Sequence, residues 1–465
     1  MDDLLKYNID YSLVQSIETD ILFKYNILPI SNNILYLLIA SSDISPCIEE
    51  LNSIFKSAVK IIHVDKKQLD FELQNLELKS KLYDLCIQAI HSINTNNENS
   101  YIIKFVDLLF KFSIEQNVSD IHFECLEKSI IIRVRIDGVL TQFFRFEKKL
   151  YSLISSIIKI FGNLDIAQKR LPLNSRFTRD INNINYDFRI STIPTIHGES
   201  IVLRILDNGN IKKNLYEIGF KDKLLQTIEK NIKLNQGLIL VTGPTGSGKS
   251  TTLYSILNEL NSKQKKIITI EDPVEYKLDG IMQININEDI ELNYSVILKN
   301  ILRQDPDILM IGEIRDKESL QIAMQAALTG HLVIATLHTN NSLETITRLK
   351  DLEAKPYLIA STLKMILSQR LLRVLCKNCK VKNSIDNHYI SVGCKDCNFS
   401  GYKNRVVSSE VLQIDDTISK MISNNDKLSK IKEHMKKSDF QSLASNTINL
   451  VNQGITTLAE YHSKV

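Results

Sequence analysis

The stretch GLILVTGPTGSGKSTTLY, residues 237–254, decides how the rest of the chain is read. Leu238 to Val241 form a short apolar strand pattern, and a helical pattern resumes at Lys249. Between them stands Gly243-x4-Gly248-Lys249-Ser250, the spacing of a phosphate-binding loop. Glycines in such a loop let main-chain N–H groups close around an anion, because no side chain stands in the way. Gly243, Pro244, Thr245, Gly246, Ser247 and Gly248 are the expected cradle, and Thr251 completes the set. Lys249 is expected at the β- and γ-phosphates and the Ser250 hydroxyl at Mg²⁺, so ATP and Mg²⁺ are the cofactors. A glycine-rich turn capping an ordinary helix is the alternative, and strand before with helix after speaks against it.

Composition bounds what surrounds this loop. At 465 residues the chain exceeds one ordinary core, so two or three domains are expected. Hydrophobic content of 43% and charged content of 24% describe a globular protein. Lys and Arg number 57 against 54 Asp and Glu, too balanced for charge alone to predict nucleic-acid binding. The longest apolar run, Ile34 to Ala40, is too short to span a membrane, and the acidic start MDDLLKYNID lacks signal-peptide character. The expected location is the cytosol.

The pattern changes twice along the chain, giving three regions. A polar break, Asn94 to Ser100, sets off a small α/β region (1–95) with helical patterns near 10–25 and 67–92 and a strand at 34–40. From 101 to 208 the pattern is helix and hairpins. Arg133 and Arg135 alternate with Ile132, Val134 and Ile136, and Asp137-Gly138 supplies a two-residue turn. Arg189 falls on the polar face opposite Tyr186, Phe188 and Ile190, while Arg204 interrupts the apolar run Ile201 to Leu206. A cation there needs an anionic partner, either a structural carboxylate or a phosphate. From 209 onward strands alternate with helices, as in a parallel α/β sheet, and the tail after 415 is helical and polar.

Beyond the loop, two strand patterns end in acids. Ile267 to Ile270 runs into Glu271, Asp272, Pro273 and Glu275, and Ile308 to Ile311 runs into Gly312 and Glu313. Open parallel sheets bind ligands at their carboxyl ends, where such acids hold Mg²⁺ or polarise an attacking water. Glu275 and Glu313 both qualify as the base. A third strand, Leu332 to Thr336, is flanked by His331 and His338, candidates for sensing the γ-phosphate. Cys376, Cys379, Cys394 and Cys397 form CxxC-x14-CxxC, a spacing for tetrahedral Zn²⁺ in a structural role, with an Fe–S cluster or a redox pair as alternatives.

GPTGSGKSTTLY, TIEDPVEY, LRQDPDILMIGEIRD and TGHLVIATLHTN resemble, in order and spacing, the Walker A, Asp box, Walker B and His box of the secretion ATPases. These are the type II secretion and type IV pilus assembly motors, the GspE/PilB-like family. SDIHFE, RVRIDGVL, LDIAQKRLP and RISTIPTIHGESIVLRILD resemble that family's PAS-like N2 domain, and QRLLRVLCKNCK with GCKDCNFSGYKNR its tetracysteine insertion. YNILPISNNILYLLIASSDI is similar to its N-terminal docking domain. The resemblance implies a RecA-like ATPase domain (209–465) carrying a zinc knuckle at 376–397. A PAS-like α+β domain (101–208) and a small α/β docking domain (1–95) precede it. It further implies a homo-hexamer in which Arg189 and Arg204 reach the γ-phosphate. The ring would act on an inner-membrane platform protein and bind a cytoplasmic docking domain of the machine. Its work would be filament assembly for secretion, pilus extension or DNA uptake, on the cytoplasmic side of the inner membrane. One departure stands out: KRLPLNSRF replaces the family's KRLPQDGRF, though Arg176 is kept.

The competing classes are a RecA-like nucleic-acid motor, a zinc-bearing scaffold with a dead nucleotide site, and a small-molecule kinase. Balanced charge and the lack of Trp weigh against the first, so no direct nucleic-acid contact is expected. Intact Lys249, Ser250, Glu275 and Glu313 weigh against the second. Two preceding domains weigh against the third.

Overall fold

The computed structural model describes residues 4, 7–30, 36–40, 42, 44, 47–56, 58–92, 98–206, 214–384, 387–438 and 440–465. The chain divides into two compact units. One comprises Met1–Asp207 with Cys376–Val381 and Ser391–Lys403, and the other Asn208–Leu375 with Lys382–Ile390 and Asn404–Val465.

The second unit is built on a seven-stranded sheet. Its order is Met282–Asn285, Ile267–Glu271, Ile308–Ile311, Leu332–Leu337, Gly237–Thr242, Leu363–Leu375, Tyr402–Gln413. The first six pair in parallel. Four of these strands are mostly apolar because both faces are covered, and every residue in them is buried. Leu238 and Leu240 enter one packed layer with Ile268, Ile270 and Val333, while Ile239 and Val241 enter the other with Ile267 and Ile334. Because the strands run the same way, their carboxyl ends line one edge. The P-loop, Asp272, Glu313 and His338 all come just after those ends.

The first unit opens with strands Ile27–Ile30, Tyr36–Ala40 and Val59–His63, paired antiparallel and then parallel. Helices Tyr11–Ser16, Thr19–Tyr25 and Leu76–Ser92 match the sequence reading; the strands at 27–30 and 59–63 and the helix Ile48–Phe55 are additions to it. Residues 94–97 of the expected linker lie outside the described residues, and a helix already begins at Glu98. That helix, Glu98–Glu115, packs on a six-stranded antiparallel sheet through Phe105 and Phe110, the latter stacked on Phe188 at 4.5 Å. Asp137 and Gly138, both at positive φ, make the expected hairpin turn between Ser129–Ile136 and Val139–Glu147. Ile130, Ile132 and Val134 face the core, leaving Arg133 and Arg135 on the other side.

The cysteine segments lie within residues 209–465, yet in space they count with the first unit. Phe399 packs against that unit's core. Asn398 donates to Gln116 at 2.6 Å, and Gln74 donates to the Lys395 carbonyl and to Asn398 at 3.2 Å.

Candidate nucleotide site and cysteine cluster

The P-loop leaves its strand at Gly243 with φ near +149°, and Gly246 and Gly248 are also at positive φ. A side chain at Gly243 would put its Cβ 2.5 Å from both the Ser247 hydroxyl and the Gln369 carbonyl, so only glycine closes the loop here. Gly248 caps the helix Lys249–Leu260, whose N-terminus faces the cradle. The Ser247 Oγ is buried and has no hydrogen-bond partner among the described residues, the mark of a group open to an acceptor or donor from a ligand. Lys249 Nζ lies folded back on the Gly243 and Pro244 carbonyls at 2.8 and 3.0 Å. Burial pulls its pKa down to about 8, with the Glu313 carboxylate opposing and the Arg370 guanidinium adding to the shift. The residues present fit a nucleotide triphosphate.

Acids and cations from three neighbouring strand ends meet beside the loop. Glu313 accepts from Arg315 at 2.9 Å and lies 3.2 Å from His338 Nε2, and Arg315 reaches Asp272 at 3.2 Å. The Thr336 hydroxyl donates to the Gly312 carbonyl, tying the Glu313 strand to the His338 strand. Burial and the Lys249 charge hold the His338 pKa below the ordinary imidazole value, against the pull of Glu313. The ring is therefore neutral at pH 7 and able to donate one N–H. Glu275 is half-exposed on the loop after the acid strand, and its main-chain N–H donates to Tyr254. A cavity of about 550 Å³ opens between Pro244, Thr245 and His338 on one side and Glu344, Thr347 and Arg348 on the other.

Two of the expected nucleotide contacts have side chains engaged by other protein groups. Glu271 is the buried last residue of its strand, held by the Tyr254 hydroxyl, Thr269 at 2.6 Å and Gln283 at 3.2 Å. Its carboxylate is spent on packing this corner, and Asp272 is the exposed acid. His331 sits at the amino end of Leu332–Leu337, where its carbonyl accepts from Gly237 N–H. In a parallel sheet that end is a whole strand, roughly 20 Å, from the P-loop. Its Nδ1 lies 2.9 Å from the Ala326 carbonyl, at the end of the preceding helix. Residues not singled out from sequence also hold the site's groups: Arg315 pairs with Glu313, the Tyr254 hydroxyl accepts from the Glu275 N–H, Gln369 donates to the Ser247 carbonyl and Arg370 to the Asn340 carbonyl. Arg315 stands two residues after Glu313, on the same turn, which is the one signal that could have found it.

In the first unit, Arg189 and Arg204 are direct cross-strand neighbours. Arg204 Nε donates to the buried Asp120 at 3.0 Å, and Asp120 also faces Arg135 at 3.4 Å. Arg204 nevertheless keeps 58% of its side chain exposed. Arg176 of the altered KRLPLNSRF segment pairs with Asp187 at 2.8 Å.

Cys376, Cys379, Cys394 and Cys397 bring their sulfurs within 4.8 Å of one another. The Cys376–Cys394, Cys379–Cys397 and Cys394–Cys397 separations are 3.8, 3.7 and 3.8 Å. The edge of a tetrahedron with metal–sulfur bonds near 2.3 Å is about 3.8 Å. Main-chain N–H groups of Gly393 and Gly401 point at Cys379 and Cys397 Sγ, both at 3.3 Å, as donors to thiolates do. The cluster can hold a metal.

Fold and site together define a P-loop ATPase of RecA type carrying a four-cysteine metal-type cluster. The family model described as Type II/IV secretion system protein matches residues 95–463, and the chain belongs to that family. It is 40% identical over 380 residues to the type II secretion system ATPase E of Vibrio cholerae, across 78% of this chain and 75% of that protein. It is 40% identical over 374 residues to the type II secretion system protein HxcR of Pseudomonas aeruginosa, across 80% and 79%. Among solved structures, the pilus retraction motor PilT with bound ADP is similar at 28% identity and a TM-score of 0.55, covering 77% of this chain and 96% of that one. The Legionella pneumophila ATPase DotB, at 22% identity, a TM-score of 0.59 and 77% and 94% coverage, shares the fold. The chain is a secretion-system ATPase. Among the described residues no helix is long and apolar enough to cross a membrane.

Proposed function

We propose that this ATPase is the hexameric motor of a type II secretion machine, turning ATP hydrolysis into assembly of a pilin-like filament at the inner membrane. The observation that carries the reading is the meeting of Lys249, Glu313 and a neutral His338 at one sheet edge beside the unpartnered Ser247 hydroxyl. Gly243 to Gly248 and Thr251 cradle the phosphates, and Lys249 supplies the cation. Ser250 holds Mg²⁺, which screens phosphate charge when bound. Glu313 orients the attacking water, with Glu275 as the alternative base. His338 contacts the γ-phosphate and changes partner when it leaves. Arg189 and Arg204 of the PAS-like N2 domain add charge in the transition state, so that catalysis is tied to domain movement.

The three-part division at 1–95, 101–208 and 209–465 serves this scheme. The first part docks on the machine, and the ring works on an inner-membrane platform protein from the cytoplasmic side. Zn²⁺ on the four cysteines cross-links their two segments, a structural role. Metal analysis should find one zinc per chain, and Cys394→Ser should lose it.

The test is Mg²⁺-dependent ATP turnover by the full chain, with oligomer mass measured in parallel. No turnover at any protein concentration would end the motor reading, and a monomer active at full rate would end the ring.

A further inference from the structure

The strand Leu363–Leu375 runs parallel to the P-loop strand, with Ser368 opposite Thr242. The next two residues, Gln369 and Arg370, are 1% and 5% exposed. Polar side chains are not buried this deeply without partners, and a buried guanidinium is costly. Their partners lie on two different walls of the nucleotide site.

Gln369 Nε2 donates to the Ser247 carbonyl at 2.8 Å, and its Oε1 accepts from the Thr252 hydroxyl at 3.0 Å. One side chain thus pins the P-loop to the first turn of the helix beyond it. Arg370 Nη2 donates to the Asn340 carbonyl at 3.0 Å, Nη1 to its neighbour's carbonyl at 3.1 Å, and Nε to the Lys464 carbonyl at 2.8 Å. Asn340 is two residues beyond His338, and its N–H donates to Glu344 on the helix Ser342–Asp351. Among the described residues Arg370 makes no ion pair; its fork goes to three main-chain oxygens and, at 3.4 Å, to the Asn340 side-chain oxygen. A planar guanidinium with several fixed donors suits that task and an ammonium does not.

We propose that Gln369 and Arg370 are a paired positioning element of the hydrolysis site, Gln369 fixing the phosphate loop and Arg370 fixing the segment that presents His338 to Glu313. Neither touches the reacting atoms. Arg370 acts by keeping the 338–340 segment in place, so that His338 Nε2 stays 3.2 Å from Glu313. Gln369 acts on the loop that grips both ATP and ADP. The two residues therefore divide labour: loss of Arg370 weakens the chemical step, and loss of Gln369 weakens nucleotide binding. The inference rests on the P-loop being the site of ATP hydrolysis.

The experiment uses full-length protein with Arg370→Gln, Gln369→Ala, His338→Ala and the Arg370→Gln/His338→Ala double variant, each checked by thermal unfolding. Arg370→Gln should lower kcat about tenfold and change KM for ATP less than about twofold, the pattern of an interaction made only in the transition state. In the His338→Ala background the same change should cost less than about twofold more, because both act through one group. Gln369→Ala should raise the ADP Kd about tenfold while kcat at saturation stays within about twofold. Multiplicative losses in the double variant, or an Arg370→Gln effect confined to KM, would overturn the proposal. If Arg370→Gln does not fold, Arg370→Lys enters the same cycle, and failure of both to fold makes Arg370 a folding residue and ends the idea. Wild-type protein without ATP turnover would sink the motor reading and this inference with it. Wild-type turnover combined with an additive cycle would sink the inference alone.

Discussion

Lys249 and Arg204 are the two cations proposed above for the same phosphate, yet their two regions treat them differently. Lys249 is held at the edge of the parallel sheet against two carbonyls, and among the described residues it makes no ion pair. Arg204 projects from an antiparallel sheet, more than half exposed, with the buried Asp120 already paired to it. The first is a charge whose counter-ion is missing until a phosphate arrives. The second is already paired as it stands, and the proposed role requires it to share or exchange Asp120. Burial follows the same division: it lowers the Lys249 pKa, while Arg204 keeps 58% of its side chain exposed.

The sharpest way to break this comparison is to remove the settled cation. Arg204→Ala should lower ATP turnover roughly a thousandfold, as loss of an arginine finger does, with ADP affinity nearly unchanged. Unchanged turnover would reduce Arg204 to a half-exposed ion pair with Asp120, worth about 0–1 kcal/mol. Lys249→Ala should instead abolish turnover and weaken ADP binding as well, since ADP retains the β-phosphate that Lys249 grips. If both variants lose only turnover, the two cations are equivalent and the contrast fails.

Next in size is the acid beside the P-loop. Glu313→Gln should keep nucleotide binding and slow hydrolysis about a hundredfold, the scale of losing a general base. Glu275→Gln is the control, because Glu275 is not among the groups paired to His338 or Arg315. A larger loss from Glu275→Gln would transfer the role of base to it.

Much of this arrangement is legible in the sequence, for physical reasons. Glycine at forced positive φ and an apolar run ending in acids are local signals, so the P-loop and the Glu313 strand need no knowledge of neighbours. Asp137-Gly138 announces its hairpin in the same way. His331 and His338 look alike because both flank one strand. Strand direction separates them, and the parallel pattern already contains that information. A residue just after a strand stands with the P-loop, and a residue just before it stands at the far edge. The burial of Glu271 and the exposure of Asp272 are not told apart locally, because the strand continues through Glu271 before Pro273 stops the pattern. Gln369 and Arg370 cannot be found locally, since their importance depends on which strand lies beside the P-loop strand. The strands at 27–30 and 59–63 are only four and five residues long and carry too little periodicity to stand out.

A smaller effect tests the missing counter-ion directly. A lysine with its pKa near 8 in the nucleotide-free protein is charged below that pH and loses its proton above it. Phosphate favours the charged form, so binding above pH 8 must take up a proton. The ADP Kd should therefore be flat below about pH 7.5 and rise by up to about tenfold per unit above pH 8. Calorimetry in buffers of different ionisation enthalpy should read a proton uptake at about pH 8.5 that exceeds the one at about pH 7.5. A Kd independent of pH up to about 9.5 would mean that Lys249 is fully charged before the ligand arrives, and the contrast with Arg204 would lose its basis.

The smallest effect is expected at His331, and it probes the direction of the sheet itself. His331 and His338 bracket the same strand, and composition gives no reason to rank them. The fold places His338 against Glu313 and His331 against the end of the helix Lys317–Leu328, where its Nδ1 meets the Ala326 carbonyl and lies 3.3 Å from the Thr329 hydroxyl. A residue there supports a helix terminus and nothing at the phosphates. His331→Ala should cost about 1 kcal/mol of stability, the usual scale for one hydrogen bond, and leave kcat and KM within about twofold. His338→Ala should keep its stability and lose about tenfold or more in kcat, since it removes a donor placed at the site. Equal losses of turnover from the two variants could not be reconciled with a parallel strand whose two ends lie roughly 20 Å apart. Either His331 would have to reach a second nucleotide site on another copy of the chain, or the strand would have to run the other way. Measuring the His331→Ala rate in dilute and in concentrated protein separates these, because only contact with another copy makes the loss depend on concentration.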